Sequence, residues 1–177
     1  MRIKSLFVCL AITLLLGACT GTRYHITPQD SAGHAPKLVP QEKVLVAIPR
    51  DGEYLGTPYR NSGTQVADLF IKHISSRTGA SSLTNGAMNQ TQALSEAQAL
   101  SCRYVVIPVI NNWEPRASSW SGKPGRASIS VSVYELVGEK PSLINKSLLE
   151  VQGKSYLTEH PLKLMDNIIG SYIGSLY

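Results

Sequence analysis

In a chain of 177 residues, no apolar stretch reaches the roughly 20 residues that a membrane-spanning helix requires. The longest, Leu6 to Leu16, covers eleven residues, which disfavours a retained transmembrane segment. Cysteine is scarce, with three in all, and Cys9 and Cys19 fall within or just after that N-terminal run. Cys102 is then the one thiol left for the folded part, so no intramolecular disulfide can form. It stands just before an apolar strand and is expected to be a small core residue. The four histidines, His25, His34, His73 and His160, are dispersed and form no paired metal motif. No metal and no other cofactor is therefore expected. No Gly-rich phosphate loop follows a strand, and the Gly-x-Ser-x-Gly of a nucleophile elbow is missing. Glu114 and Glu135 are candidates for meeting in space, but two carboxylates among twelve acidic residues are ordinarily solvated. The expectation is a protein that is not an enzyme.

What is present begins with Arg2 and Lys4, the apolar run, and the small pair Gly17-Ala18 before Cys19. That is the order of a cleaved export signal: positive end, apolar middle, small residues at the cut. Leu16-Gly17-Ala18-Cys19 resembles the lipobox of bacterial lipoproteins. The resemblance implies removal of residues 1–18, diacylglycerol on the Cys19 thiol (palmitate being a typical acyl chain) and usually an acylated amine. More than one chain matters, because each buried methylene contributes about 0.8 kcal/mol and a single chain holds only marginally. Thr20 stands where an aspartate would resemble an inner-membrane retention signal. The expected location is the outer membrane, lipid-anchored and facing the periplasm. Loss of Arg2 and Lys4 leaves fifteen of the seventeen cations against twelve anions, scattered and without the basic run that tracks nucleic acid. Nucleic acid is not an expected partner; the membrane is, through the lipid.

Residues 19–41, with His25, His34 and three prolines, read as a lipidated N-terminus and flexible tether with a typical reach of roughly 25 Å. Residues 42–177 read as one globular domain. Val44 to Ile48 is an apolar run closed by Pro49, expected as a strand buried on both faces. Ser62 and Gln65 suggest a capping box opening a helix whose stripe is Val66, Leu69, Phe70, His73 and Ile74, ending at Gly79. His73, on the edge of the stripe, is expected to be a partly covered structural histidine. Ala80 to Thr84 suggests a strand before an Asn85-Gly86 turn. A helix follows from about Thr91 to Ser101, with Leu94, Ala97 and Leu100 on one side. Tyr104 to Ile110 is an apolar strand that Pro108 makes irregular or peripheral. Ile129, Val131 and Val133 alternate with serines in a half-wet strand, Gly138 to Pro141 turns it into a hairpin partner, and Pro161 opens a last helix with the stripe Leu162, Met165, Ile168, Ile169, Tyr172 and Leu176. The order β-α-β-α-β-β-β-α argues for an α/β fold, a mixed sheet with helices packed on it.

The segment Asn112-Trp113-Glu114-Pro115-Arg116-Ala117-Ser118-Ser119-Trp120-Ser121-Gly122-Lys123-Pro124 resembles the Trp-Glu-x-Arg-x-x-x-Trp-Ser-Gly-Lys-Pro signature of the small bacterial lipoproteins of the DUF4823 family. His160-Pro161-Leu162 and Gly153-Lys154-Ser155 fit the same pattern. That resemblance spans about residues 41–177 and implies no assigned activity. The element order also resembles, at fold level, the amino-terminal domain of the Tol system's propeller protein, the lipoprotein activators of penicillin-binding proteins and the curli-secretion lipoprotein.

The segment from Trp113 to Arg126 holds both tryptophans of the chain with Arg116, Lys123 and Arg126. Tryptophan and arginine dominate binding hot spots, so Trp113, Arg116, Trp120, Lys123 and Arg126 are the candidate partner- or ligand-binding residues. The competing reading has both rings capping an exposed end of the sheet. Two functions follow: a non-catalytic interaction or assembly role in the cell envelope with an unidentified envelope protein as partner, or a binder of glycan or another envelope ligand through the Trp-rich loop.

Overall fold

The computed structural model describes residues 21–29, 37–115, 124–138, 140–153 and 160–177. Its elements are β1 Arg23–Pro28, β2 Lys43–Ile48, β3 Glu53–Tyr54, β4 Thr57–Pro58, α1 Ser62–Ile74, β5 Ala80–Ala87, α2 Gln90–Ala99, β6 Tyr104–Glu114, β7 Arg126–Glu135, β8 Ser142–Gln152 and α3 Pro161–Leu176. Six strands form one sheet in the order β1-β8-β7-β6-β2-β5, with β3 and β4 a separate small ribbon. β2 pairs in parallel with β5 and β6, whereas β6, β7, β8 and β1 pair antiparallel. The fold is the mixed α/β sheet with packed helices that the sequence order implied.

The central strand explains the two layers. On β2, Val44 and Val46 join the core beneath α1 and α3, while Leu45 and Ala47 join a smaller core beneath α2. Both faces are covered there, so the whole run is apolar. Along β7, Ala127, Ile129, Val131 and Val133 enter the larger core while Ser128, Ser130 and Ser132 stay half-exposed. Alternation thus marks the part of the sheet that has helices on one side only. α3 buries Leu164, Met165, Ile168, Ile169, Tyr172, Ile173 and Leu176 against that side.

Several local expectations are corrected. Arg23–Pro28, part of the expected tether, is an edge strand paired along β8. Its Tyr24-His25-Ile26-Thr27 sequence alternates, and Ile26 packs on the core while the Tyr24 hydroxyl accepts from Asn167 Nδ2 at 3.3 Å. Ser62 does not cap α1. Asn61 is the N-cap in a left-handed conformation without a side-chain cap bond, and the Asp51 carboxylate accepts instead from the backbone N–H of Gly63 at 2.9 Å. An anion from the preceding loop therefore occupies the positive end of that helix, and Ser62 Oγ accepts from Gly52 N at 2.8 Å. Gly63 cannot carry a side chain, since a Cβ would stand 2.2 Å from the Pro49 carbonyl oxygen.

Asn85-Gly86 is a bulge inside β5 rather than a turn: the register against β2 shifts there, Gly86 takes a φ of 92°, and Thr84 Oγ1 bridges Ile48 N and the Gly86 carbonyl. The capping box belongs to α2, where Asn89 and Gln92 satisfy each other's backbone N–H groups. That helix packs through Ala93 and Ala97, and Leu100 is exposed. Pro108 sits within β6 opposite Val131, beyond the segment Tyr104–Val106 that pairs with β2. A missing N–H costs no ladder bond on that unpaired side.

Candidate functional site

Two of the residues singled out in the sequence, Trp113 and Arg126, lie at the end of the sheet where β6 and β8 finish and β7 starts. Cys19, Arg116, Trp120 and Lys123 lie outside the described residues. Trp113 and Arg126 are described, and they part company.

Trp113 is 0% exposed and belongs to the main core. The cause is a bulge at Asn111: the register runs Ile110 opposite Ile129, then Asn112 opposite Ser128 and Trp113 opposite Ala127. One extra residue re-aims the strand, turning Trp113 inward beside buried Ala127 and leaving Asn112 with Ser128 on the uncovered face. Asn111 Nδ2 donates to Ser130 Oγ on the same face at 2.7 Å. Inside, the indole meets the His160 ring edge-on at 6.3 Å and 70°. A Cβ on Gly52 would come within 2.6 Å of the Trp113 Cβ, so the glycine makes room for the ring. Its Nε1 is buried without a hydrogen-bond partner among the described residues. Trp113 is therefore a core residue of this end of the sheet, and the sequence-based expectation of an accessible docking side chain is corrected for it.

Arg126 is exposed and starts β7, with Glu114 opposite on one neighbour and Gln152 on the other. Across β8, Gln152 also faces Arg23 of β1. Two arginines thus flank one glutamine on successive strands, with backbones about 10 Å apart at the usual strand spacing. The next row is His25, Glu150, Ser128 and Asn112. Together they line an open depression of about 410 Å³. Neither arginine has a side-chain hydrogen bond or ion pair among the described residues. Arg23 carries no signal of this kind in the sequence, because its short segment beside prolines and glycines has the composition of a tether. Beside this row Tyr54 donates its hydroxyl to Glu114 Oε1 at 3.1 Å, and that hydrogen bond is the main cause pushing the phenol above its ordinary range.

Further along the same uncovered face, Val109 (52% exposed), Asn111, Ser130, Ser132 and Lys146 line a second depression of about 580 Å³ between the sheet and the start of α2. The carboxylates Glu114 and Glu135 do not meet: they sit at opposite ends of the β6–β7 pair, and Glu135 accepts from Arg103, which also reaches Glu42 at 2.8 Å. His73 is half-covered, bonded through Nε2 to Asp166 at 2.7 Å. Cys102 is buried, and burial pushes its thiol up, away from the reactive thiolate. Among the described residues no three His, Cys, Asp or Glu side chains gather to hold a metal ion.

These features define a small α/β domain whose sheet, among the described residues, is helix-covered on one face and partly uncovered on the other. Residues 36–176 match the family model described as "Domain of unknown function (DUF4823)", and the chain belongs to that family. No curated protein matches it. Among solved structures it is similar to the dodecamer of a PelC point variant, leucine to methionine, of Paraburkholderia phytofirmans, at 11% identity, covering 88% of this chain and 97% of that one with a TM-score of 0.62. The PelC dodecamer without that substitution aligns at 12% identity over 88% of this chain and 96% of that one, TM-score 0.61. The hypothetical protein CT253 of Chlamydia trachomatis aligns at 14% identity, 77% and 98% coverage and TM-score 0.51. At such identities the likeness is one of fold.

Proposed function

We propose that the protein is a lipoprotein held by Cys19 to the periplasmic face of the outer membrane, where it serves a non-catalytic interaction or assembly role. The observation that carries the assembly part is the uncovered sheet face, from Val109 on β6 across the serines of β7 to β8 and β1, joined to an edge strand that begins four residues after Cys19. Among the described residues no helix covers this part of the sheet, and exposed sheet edges are where strands meet partners. The lipobox resemblance supports the anchor. PelC, whose fold this chain resembles, is described as a dodecamer, so self-assembly is one form the proposed role takes.

The test is light scattering of the detergent-solubilised lipoprotein together with capture from cross-linked envelopes. A defined oligomer, or one reproducible envelope partner lost on Ser130→Arg or Ser132→Arg, supports the reading. A monomer that captures nothing contradicts it. The second reading, a glycan binder, is favoured by the amide and hydroxyl groups of Asn112, Ser128 and Gln152 in the smaller depression, but Trp113 has no free face for ring stacking. Sedimentation with peptidoglycan separates it from protein docking.

A further inference from the structure

We infer that the end of the sheet carrying Arg23 and Arg126 lies against the phospholipid headgroup layer, with the sheet standing away from the membrane. The inference rests on the Cys19 anchor proposed above. From Cys19 to Arg23 there are four Cα steps, which span at most about 14 Å. Arg23 is already in the sheet, and the pairing of β1 with β8 runs from Arg23 opposite Gln152 to Pro28 opposite Ser147. β8, eleven residues long, extends for about 35 Å, so its far end, with Val137 and Leu143, lies that far from the anchored end and meets the bilayer only if the sheet lies flat against it. The anchored end is the one where Arg23 and Arg126 stand exposed without side-chain partners among the described residues. Guanidinium groups match phosphate oxygens in bidentate geometry. The carboxylates nearby do not cancel them at the rim: Glu114 is engaged by the Tyr54 hydroxyl, and Glu150 sits one row further from the anchor, opposite His25. Among the described residues the further acids near this end are Glu53, exposed in the ribbon, and Asp51, whose carboxylate accepts from the Gly63 N–H.

The experiment uses the full lipidated chain in vesicles of phosphatidylethanolamine and phosphatidylglycerol containing a headgroup quencher. A fluorophore is placed on a cysteine at Thr57, near the anchored end, or at Val137, at the far end; buried Cys102 stays unlabelled. Intact mass reports separately whether the anchor is present. The expected result is strong quenching at Thr57 and little at Val137. To separate contact from tethering, a flexible insertion of about 20 Gly-Ser residues after Gly21, with a typical reach of roughly 25 Å, is made with and without Arg23→Gln/Arg126→Gln. Each cation near an anionic surface biases orientation about fivefold. The long-tether protein should therefore keep its near-to-far quenching ratio, and the double arginine variant, with an unchanged thermal melt, should lose it by roughly tenfold or more. Quenching at Val137 equal to that at Thr57 in the native-length protein would overturn the orientation. An unchanged ratio in the long-tether arginine variant would overturn the headgroup contact, as it would if the arginines serve a soluble polyanion instead. A mass without lipid would defeat the anchor itself, and the orientation with it.

Discussion

Trp113 shows what a single residue contributes at this end of the sheet. Its ring fills the space left by Gly52 and touches His160, which ties β6 to the loop before α1 and to the start of α3. Trp113→Ala should lower stability by roughly 3–5 kcal/mol, the range for large core aromatics, as measured by denaturant unfolding. Gly52→Ala forces the same ring to move and should cost about 1–3 kcal/mol; a variant as stable as the parent would place the ring elsewhere. The tryptophan was conspicuous in the sequence, but its direction was not, because the bulge at Asn111 inverts the parity that alternation would assign. Cys102, by contrast, was legible from its place before an apolar strand and is buried as expected. Arg126 stayed on the surface, and its counterpart Arg23 was invisible until register placed both beside Gln152.

At the scale of elements, α3 holds the larger layer together. Ile168 is buried between α3 and the sheet, so Ile168→Asp should cost about 3 kcal/mol or more by leaving a charge unpaired in the core. A melt that does not move would make the helix peripheral. α1 and α3 are also pinned by polar contacts: Lys72 Nζ reaches Asp166 at 2.7 Å, His73 bonds the other carboxylate oxygen, and the imidazole lies on Gly170. The hydrogen bond from Lys72, with a smaller one from His73, holds the Asp166 carboxyl below its ordinary value of 3.8. A depressed acid stabilises the fold above its unfolded value and loses that contribution as pH falls through the lower folded one. Asp166→Asn should therefore reduce the melting temperature near about pH 6 and make almost no difference near about pH 2. A deficit that persists undiminished in acid would mean that packing, not the ion pair, carries the effect. The long elements were legible because each carries a period: two for β7, three to four for α1 and α3. The edge strand β1 was not, since six residues beside prolines and glycines give too short a pattern, and its stability comes from the ladder it completes on β8.

For the whole molecule, the mixed sheet and its helix layers followed from the order of periodic segments, and the family follows from the match over residues 36–176. The open face could not be read in advance, because it is defined by which strands α2 fails to cover, a matter of topology rather than of local sequence. The position of β1 leaves three residues between Cys19 and the sheet, so that the proposed anchor would be joined to the sheet by a short link rather than a long tether. The state of Cys19 is therefore decisive for the proposed anchor. Mass spectrometry of the protein extracted from its native membranes tests this directly. The predicted result is a chain beginning at Cys19 with diacylglycerol on the thiol, found in the outer-membrane fraction, and a Cys19→Ala form that is left unprocessed or released from the membrane. A native chain that keeps residues 1–18 without lipid, or a Cys19→Ala form processed and membrane-bound like the parent, would contradict it.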